Sequence, residues 1–496
     1  MIDPGSCDAV VIGGGVAGMS AAMELVSAGR RVVLLEARPR LGGRAYSFAD
    51  PVSGDEIANG QHLLLGCNTS ALRFLRLAGV LCNGLPETPQ PPGHGASGEA
   101  EHPVRAVFGG YDADDDAPLN RDPSASQRMQ DLPLRASGRL NLLMRRDGVE
   151  AVLRSGRLFH PAGTAQAFLG YRFLSSAGKL AVFRLAAALA LYSEDRVRRL
   201  DVITAAEWLS SMRQPSDAVE ALWGPVCLAT MNTAVQSASA FLFASILRKV
   251  FLSGGNASAL LLPSNGLSAL FARPVRARLC SMGAGVFERS RVVFIRPDSR
   301  KGEARCADGR VFTAPVFICA LPPRALGKLL RASGLARDVA DACPHFKPSP
   351  ILSAQVWTRE RITEAPMTGL LGSELQWIFD KGRSADGGWR YACTVSAADS
   401  FASLPAASRE TRVREELRRQ YPEMDPHSVY RVMTVNERYA THLQSPGLER
   451  RRATADSGLP NLILAGDWTA TGLPATIESA AMSGSVAARL ALARLG

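Results

Sequence analysis

The chain opens with short apolar runs separated by a glycine-led stretch. Asp8–Gly13 (DAVVIG) is apolar without alternation, the pattern of a strand covered on both faces. Gly14–Gly29 carries apolar residues at helical spacing, and Arg30–Ala37 (RRVVLLEA) reads as a second buried strand. Strand, helix, strand predicts a βαβ unit on a parallel sheet, and so an α/β fold class. Over residues 84–135 polar, proline and glycine positions take over. LPETPQPPGHGASGEAEHP and the acidic YDADDDAP predict an insertion or long surface loop there. Leu140–Tyr192 reads as largely helical and includes GKLAVFRLAAALALY (Gly178–Tyr192). Arg184 interrupts that apolar run, which is shorter than the roughly 20 residues of a bilayer span. Two readings stay open for it, a buried core helix and a helix lying in a lipid interface. Arg291–Pro323 is β-rich, and the C-terminus reads as strand, glycine turn and long final helix.

Composition narrows the function classes. With 496 residues, 46% apolar and 21% charged, the chain fits two or three globular domains. The net charge of +11 is not gathered into basic blocks interleaved with aromatics, so nucleic acid is not an expected partner. Attraction to anionic lipid head groups is a weaker reading. None of the nine cysteines stands at C-x-x-C spacing, so no metal site is expected. The N-terminal apolar stretch is broken by five glycines from Gly5 to Gly18 and has no basic n-region, so no secretory leader is expected. Free thiols in a reducing cytoplasm are the expected setting.

Gly13-Gly14-Gly15-Val16-Ala17-Gly18 fits G-x-G-x-x-G directly after a strand. Gly13 permits the tight turn, Gly15 lets a pyrophosphate approach, and Gly18 lets helix and strand pack closely. The helix N-terminus would offer free N–H groups to the phosphates. Glu36, followed by Ala37, ends the next strand where a carboxylate accepts hydrogen bonds from a ribose 2′-hydroxyl.

Next comes EARPRLGGRAYSF (Glu36–Phe48), with Gly42-Gly43-Arg44 just after the acid. This resembles the second glycine fingerprint of the flavin-dependent amine oxidase and phytoene desaturase superfamily, which implies FAD. LILAGDW (Leu462–Trp468) resembles that superfamily's C-terminal strand and turn, with Gly466 and Asp467 at the cofactor. GLPATIESA (Gly472–Ala480) then starts the last helix: Pro474 suits its first turn, and the N–H groups of Ala475, Thr476 and Ile477 would face the flavin. Val292 matches the valine near the adenine. The resemblance implies a discontinuous, Rossmann-like FAD-binding domain with a mixed, largely helical substrate domain. FAD-domain pieces are expected at 1–83, 259–335 and 456–496, substrate-domain pieces at 136–258 and 336–455, and the insertion at 84–135.

One segment remains, GQHLLLGC (Gly60–Cys67). As a metal site His62 and Cys67 are too few ligands. A redox role for Cys67 lacks a nearby resolving cysteine. A polar pair, Gln61 and His62, over a flavin and followed by leucines lining an apolar cavity fits the pattern better than a core histidine. NGQHLLLGC, AGDWTATGLPATIESA and LQWIFDKG (Leu375–Gly382) together resemble the hydroxysqualene dehydroxylase family. Two positions depart from it: Asn68 stands where the family commonly has tyrosine, and Ser479 where it has the glycine of E-G-A. The resemblance implies that hydroxysqualene and reduced flavin give squalene and water. It also implies a further electron donor and a peripheral position on the cytoplasmic membrane. His62 is then expected to donate a proton or order a donating water, Gln61 and Asn59 to orient it, and Asp380 to be a second candidate. Trp377 is expected either to line an apolar tunnel for the substrate's carbon chain or to pack in the core. The alternatives are a polyprenoid desaturase and a flavin-free prenyl carrier.

Overall fold

A computed structural model describes residues 7–81, 134–137, 141–154, 162–253, 257–263, 266–298 and 300–496. Most of the expected insertion lies outside the described residues. Its last residues, within Leu134–Ser137, form a strand antiparallel to Leu260–Pro263.

Five short strands make a wholly parallel sheet in the order Gly285–Phe287, Val32–Leu35, Ala9–Ile12, Val316–Cys319, Leu462–Leu464. Their unalternated apolar runs follow from cover on both faces. Ala9, Val11, Val32, Leu34, Val316, Ile318 and Ile463 join the core under the first helix (Val16–Ser27) and the final helix (Ile477–Leu495). Val10, Ile12, Val33, Leu35, Phe317 and Cys319 face the opposite core, built with a three-stranded antiparallel sheet (Val292–Arg296, Gly302–Cys306, Val311–Ala314) and the helix Pro323–Ser333. The α/β class is as expected. Ala340 and Phe346 also pack in this second core.

The second domain is organised around a sheet rather than helices alone. Seven strands lie in the order Val429–His442, Pro348–Thr358, Trp389–Ser396, Trp377–Arg383, Met367–Leu370, Asn141–Arg146, Val149–Arg154. The helical reading of 140–192 is thus corrected over its first fifteen residues. Asn141–Arg146 and Val149–Arg154 form a hairpin closed by Asp147 and Gly148, both at positive φ (47° and 85°). An Asp-Gly pair between two six-residue runs is the two-residue turn that matches strand twist. From Ala162 to Phe251 the chain is helical, and these helices cover one face of the sheet around Phe168, Tyr171, Trp208, Trp223, Phe243 and Trp377. Trp377 is 6% exposed within that core, and its indole Nε1 has no hydrogen-bond partner. The other face packs against Ala406–Gln420 through Val413 and Leu417.

Candidate active site

The first strand ends at Ile12, and Gly13 turns the chain at φ 110°, its Cα so close to Ala320 that an added Cβ would lie 2.5 Å from the carbonyl oxygen. Gly18 packs against the same turn, where a Cβ would sit 1.8 Å from the Gly13 oxygen. Gly15 differs. A Cβ there would meet only the Cα of Gly43, at 4.0 Å. Gly15 bridges Gly42 in parallel, and Gly42 donates its N–H to the Gly14 oxygen at 2.8 Å. Two bare backbone stretches thus face open space at the start of the Val16–Ser27 helix. That helix has no side-chain cap and no acid in its first turn, so its leading N–H groups are left for an anion. Val16, Ala17 and Gly18 are buried in its first turn.

Glu36, 7% exposed, accepts from the Gly14 N–H at 2.7 Å through one oxygen and from the Arg38 N–H at 2.7 Å through the other. Each oxygen keeps a lone pair for a ribose hydroxyl. Ala37 beside it is exposed. Ser290 donates its N–H to the Glu36 carbonyl, which brings Val292, two residues on, to the same edge. Arg40 lies over the Tyr46 ring, 3.9 Å from its centroid, and its buried Nε has no protein partner. Arg40 stands four residues before Arg44 in the same R-x-G-G-R run, the signal in the sequence that marks it.

Arg44 ties three distant segments together. Its guanidinium contacts Asp467 at 2.6 Å and donates to the Ala440 carbonyl at 3.0 Å. Burial acts to raise the Asp467 carboxyl, but Arg44, His442 and Arg452 outweigh it and hold the carboxylate below its ordinary range. Gly466, at φ 144°, donates its N–H to the Ser483 hydroxyl, so the final helix fixes this turn. That helix begins later than the expected first turn at Pro474: Pro474 and Ala475 precede its N-cap Thr476, whose hydroxyl accepts from the Ser479 N–H, and Ile477 is its first residue. Ser479 lies 2.7 Å from the Thr471 hydroxyl and 3.3 Å from the Asp467 carbonyl, so the departure at this position adds bonds to the turn. Asn68, the other departure, accepts from the Leu65 N–H and turns the chain into the helix Thr69–Leu77.

The leucines of GQHLLLGC form the junction between domains. Leu64 and Leu65 pair with Leu261 and Leu260; Leu63 packs against the helical core and Leu64 in the nucleotide-domain core. Burial raises the Cys67 thiol to about 11, which makes it a poor redox nucleophile. Among the described residues no cluster of ligating side chains suits a metal ion, and the eight described cysteines are free.

Gln61 lines a polar cavity of about 220 Å³ between the domains, with Glu56, Gly266, Leu267, Gln355, Lys381 and Arg390. His62 follows it, beside Gly60, and burial together with Arg44 lowers its imidazole to about 4. His62 is therefore neutral at pH 7, which leaves it to order a water rather than to act as a charged acid. Asn59 does not orient His62. It is 3% exposed and donates to the Arg44 carbonyl at 2.8 Å, holding the glycine–arginine loop. Asp380 is also displaced from its expected role. Alternation puts Asp380 on the side of Ile378, away from Trp377 and Phe379, and the irregularity that follows it in the strand leaves Lys381 lining the cavity with Gln61. Asp380 pairs on its own side with Arg361 at 2.9 Å, and Arg361 lines a separate open cleft with Arg145 and Glu423.

The family model for flavin containing amine oxidoreductases matches residues 16–492. The chain belongs to that family. The flavin-containing amine oxidoreductase binds FAD, and the open glycine wall, the uncapped helix and Glu36 suit a dinucleotide. It is similar to the hydroxysqualene dehydroxylases of Sinorhizobium fredii (29% identical over 97% of each chain) and Rhodopseudomonas palustris (26% identical over 97% of this chain and 98% of that one). In fold it resembles cyclohexylamine oxidase from Brevibacterium oxydans, with a TM-score of 0.63, 16% identity and 99% of each chain covered.

Proposed function

We propose that the protein removes the hydroxyl of hydroxysqualene to give squalene, working peripherally on the cytoplasmic membrane with FAD and a separate electron donor. The observation that carries the reading is end-to-end likeness to two hydroxysqualene dehydroxylases, spanning both domains and the Gln61–His62 junction. Bound FAD in its reduced form supplies the hydride. Gly13, Gly15, Gly18, Glu36, Gly42 and Gly43 hold the dinucleotide, with Val292 at its adenine end. Gly60, Arg44, Asp467 and the helix start at Pro474–Ile477 border the ring end, where the helix dipole favours negative charge.

The substrate hydroxyl is allylic, so its departure as water leaves a delocalised cation. The leaving oxygen needs a proton, and the polar cavity supplies it. Lys381 lines that cavity with Gln61, so its side-chain nitrogen is placed to relay a proton to the hydroxyl through water ordered by Gln61 and neutral His62. Leu63 and the helical lobe keep the carbon chain dry.

The test is a single anaerobic turnover. Reduced protein mixed with hydroxysqualene is expected to reoxidise and to form squalene in proportion to flavin. Bleaching of the oxidised protein by a polyprenoid that gains a double bond would establish the desaturase direction instead. A colourless purified protein would revive the prenyl carrier.

A further inference from the structure

Among the described residues the four exposed leucines all lie on the helical lobe: Leu169 (59%), Leu180 (60%), Leu191 (85%) and Leu252 (37%). The helix Ser176–Ala190, which carries Leu180 and ends at Leu191, explains two of them. At 100° per residue, positions 180, 184, 187 and 191 fall within an arc of about 60°. They hold Leu180, Arg184, Ala187 and Leu191, all exposed. The solvent face of this helix is thus apolar apart from Arg184 and, at its start, Ser176, while Ala181, Val182, Leu185 and Leu189 fill the core beneath. The other two leucines adjoin each other at the ends of helices packed against this one: Leu169 follows Phe168 and Leu252 follows Phe251, and those rings are in edge contact at 5.9 Å.

Charge accompanies the apolar residues. The helix contains Lys179 and Arg184 and no acid, and Arg172 is exposed just before it. Neither Arg172 nor Arg184 has an ion-pair partner among the described residues. An apolar face about three turns long, flanked by unneutralised arginines, is complementary to a surface that is greasy within and anionic at its rim. No helix among the described residues is long and apolar enough to cross a membrane, so the complementary fit is along the surface.

We propose that Leu180, Leu191, Leu169 and Leu252, with Arg172 and Arg184, form the face by which this protein docks on an anionic lipid bilayer. The inference rests on the reading above, in which the substrate dissolves in that bilayer. Leu180 and Leu191 enter the acyl boundary, the arginines meet head-group phosphates, and the helical lobe is set against the lipid. The opposite side of the same helix contributes to the core around Phe168 and Trp377, so docking and the apolar interior share one element.

The holoprotein is mixed with vesicles of phosphatidylcholine alone or with 30% phosphatidylglycerol (about one lipid in three, enough for a strong surface potential) and floated on a density gradient. Binding is expected only to the anionic vesicles and to weaken with salt. Leu180→Glu/Leu191→Glu is expected to lower partitioning at least about tenfold, while Arg172→Gln/Arg184→Gln removes most of the salt dependence. Val293→Glu/Val311→Glu, exposed apolar residues at 41% and 43% on the three-stranded sheet, is the control and leaves binding unchanged. Each variant is checked for bound flavin and for conversion of detergent-dispersed hydroxysqualene, which the docking variants retain. Equal binding by wild type and the leucine variant overturns the proposal. So does a dimer in solution that the leucine variant dissociates, since the face would then belong to a second copy. Vesicle binding as expected without conversion of hydroxysqualene rejects the proposed reaction and leaves the docking face standing.

Discussion

Gly15 and Gly18 occupy one glycine motif, yet a side chain has different consequences at each. At Gly15 the protein leaves room, with only the Gly43 Cα 4.0 Å from an added Cβ. Gly15→Leu is expected to fold with near-normal circular dichroism but to purify colourless, because the side chain fills the space a pyrophosphate needs. At Gly18 an added Cβ lies 1.8 Å from the Gly13 oxygen, so Gly18→Ala is expected to lose soluble protein altogether. Retention of full flavin by Gly15→Leu would place the phosphates elsewhere. His62 poses the complementary question of charge. With its imidazole lowered to about 4, protonated His62 is scarce at pH 7. His62→Ala is expected to slow flavin reoxidation about 10²–10⁴-fold while flavin stays bound. Wild-type rates should show no His62 limb between pH 6 and 8, and such a limb, lost in His62→Ala, would make the charged imidazole the acid.

At the scale of elements, strand alternation, its break after Asp380 and turn chemistry decide what surrounds the cavity. Lys381 shares the cavity with Gln61, while Asp380 is held by Arg361 on the other face. Lys381→Met is therefore expected to lower the single-turnover rate at least about 10²-fold, whereas Asp380→Asn changes it less than about threefold; the reverse order would restore Asp380. The parallel strands were legible because double burial removes alternation, and the hairpin at 141–154 was legible in principle from its Asp-Gly turn. The seven-stranded sheet was not, since its neighbours are distant in sequence: Thr368 pairs with Leu143. Glu478 shows the same limit. It is 3% exposed, accepts from the Ser70 and Ala71 N–H groups at the start of Thr69–Leu77 and pairs with Lys249 at 2.9 Å. Nothing local to residue 478 announces a helix 400 residues earlier. Glu478→Ala strips a buried pair and a helix cap together, and is expected to lower unfolding free energy by about 3–5 kcal/mol in urea titrations.

Across the whole molecule, the nucleotide motifs were readable because each acts through its own few residues, whereas the junction that joins them is made by folding. Arg44 meets Asp467, and His442 of the second domain comes into the same charged group. This assembly gives the protein a predictable response to acid. His442 is 5% exposed, and burial is the main cause that lowers its imidazole to about 3, with Arg452 and Arg44 adding to the effect and Asp467 opposing it. His62 is lowered in the same direction. An unfolded histidine titrates near 6.5. Between that value and the folded ones the unfolded chain binds protons that the folded chain refuses, so stability falls as pH falls. The contribution is whole above about pH 6.5 and gone below about pH 3. Asp467, also lowered, begins to act in the same sense only below the ordinary carboxylate range. For a histidine as buried as His442 the slope approaches about 1.4 kcal/mol per pH unit. Urea titrations at pH 6.5, 5.5 and 4.5, with FAD in excess, are expected to show this loss, and His442→Gln to show a shallower one. An equal slope in both proteins would mean that His442 takes up its proton in the folded state as readily as in the unfolded one.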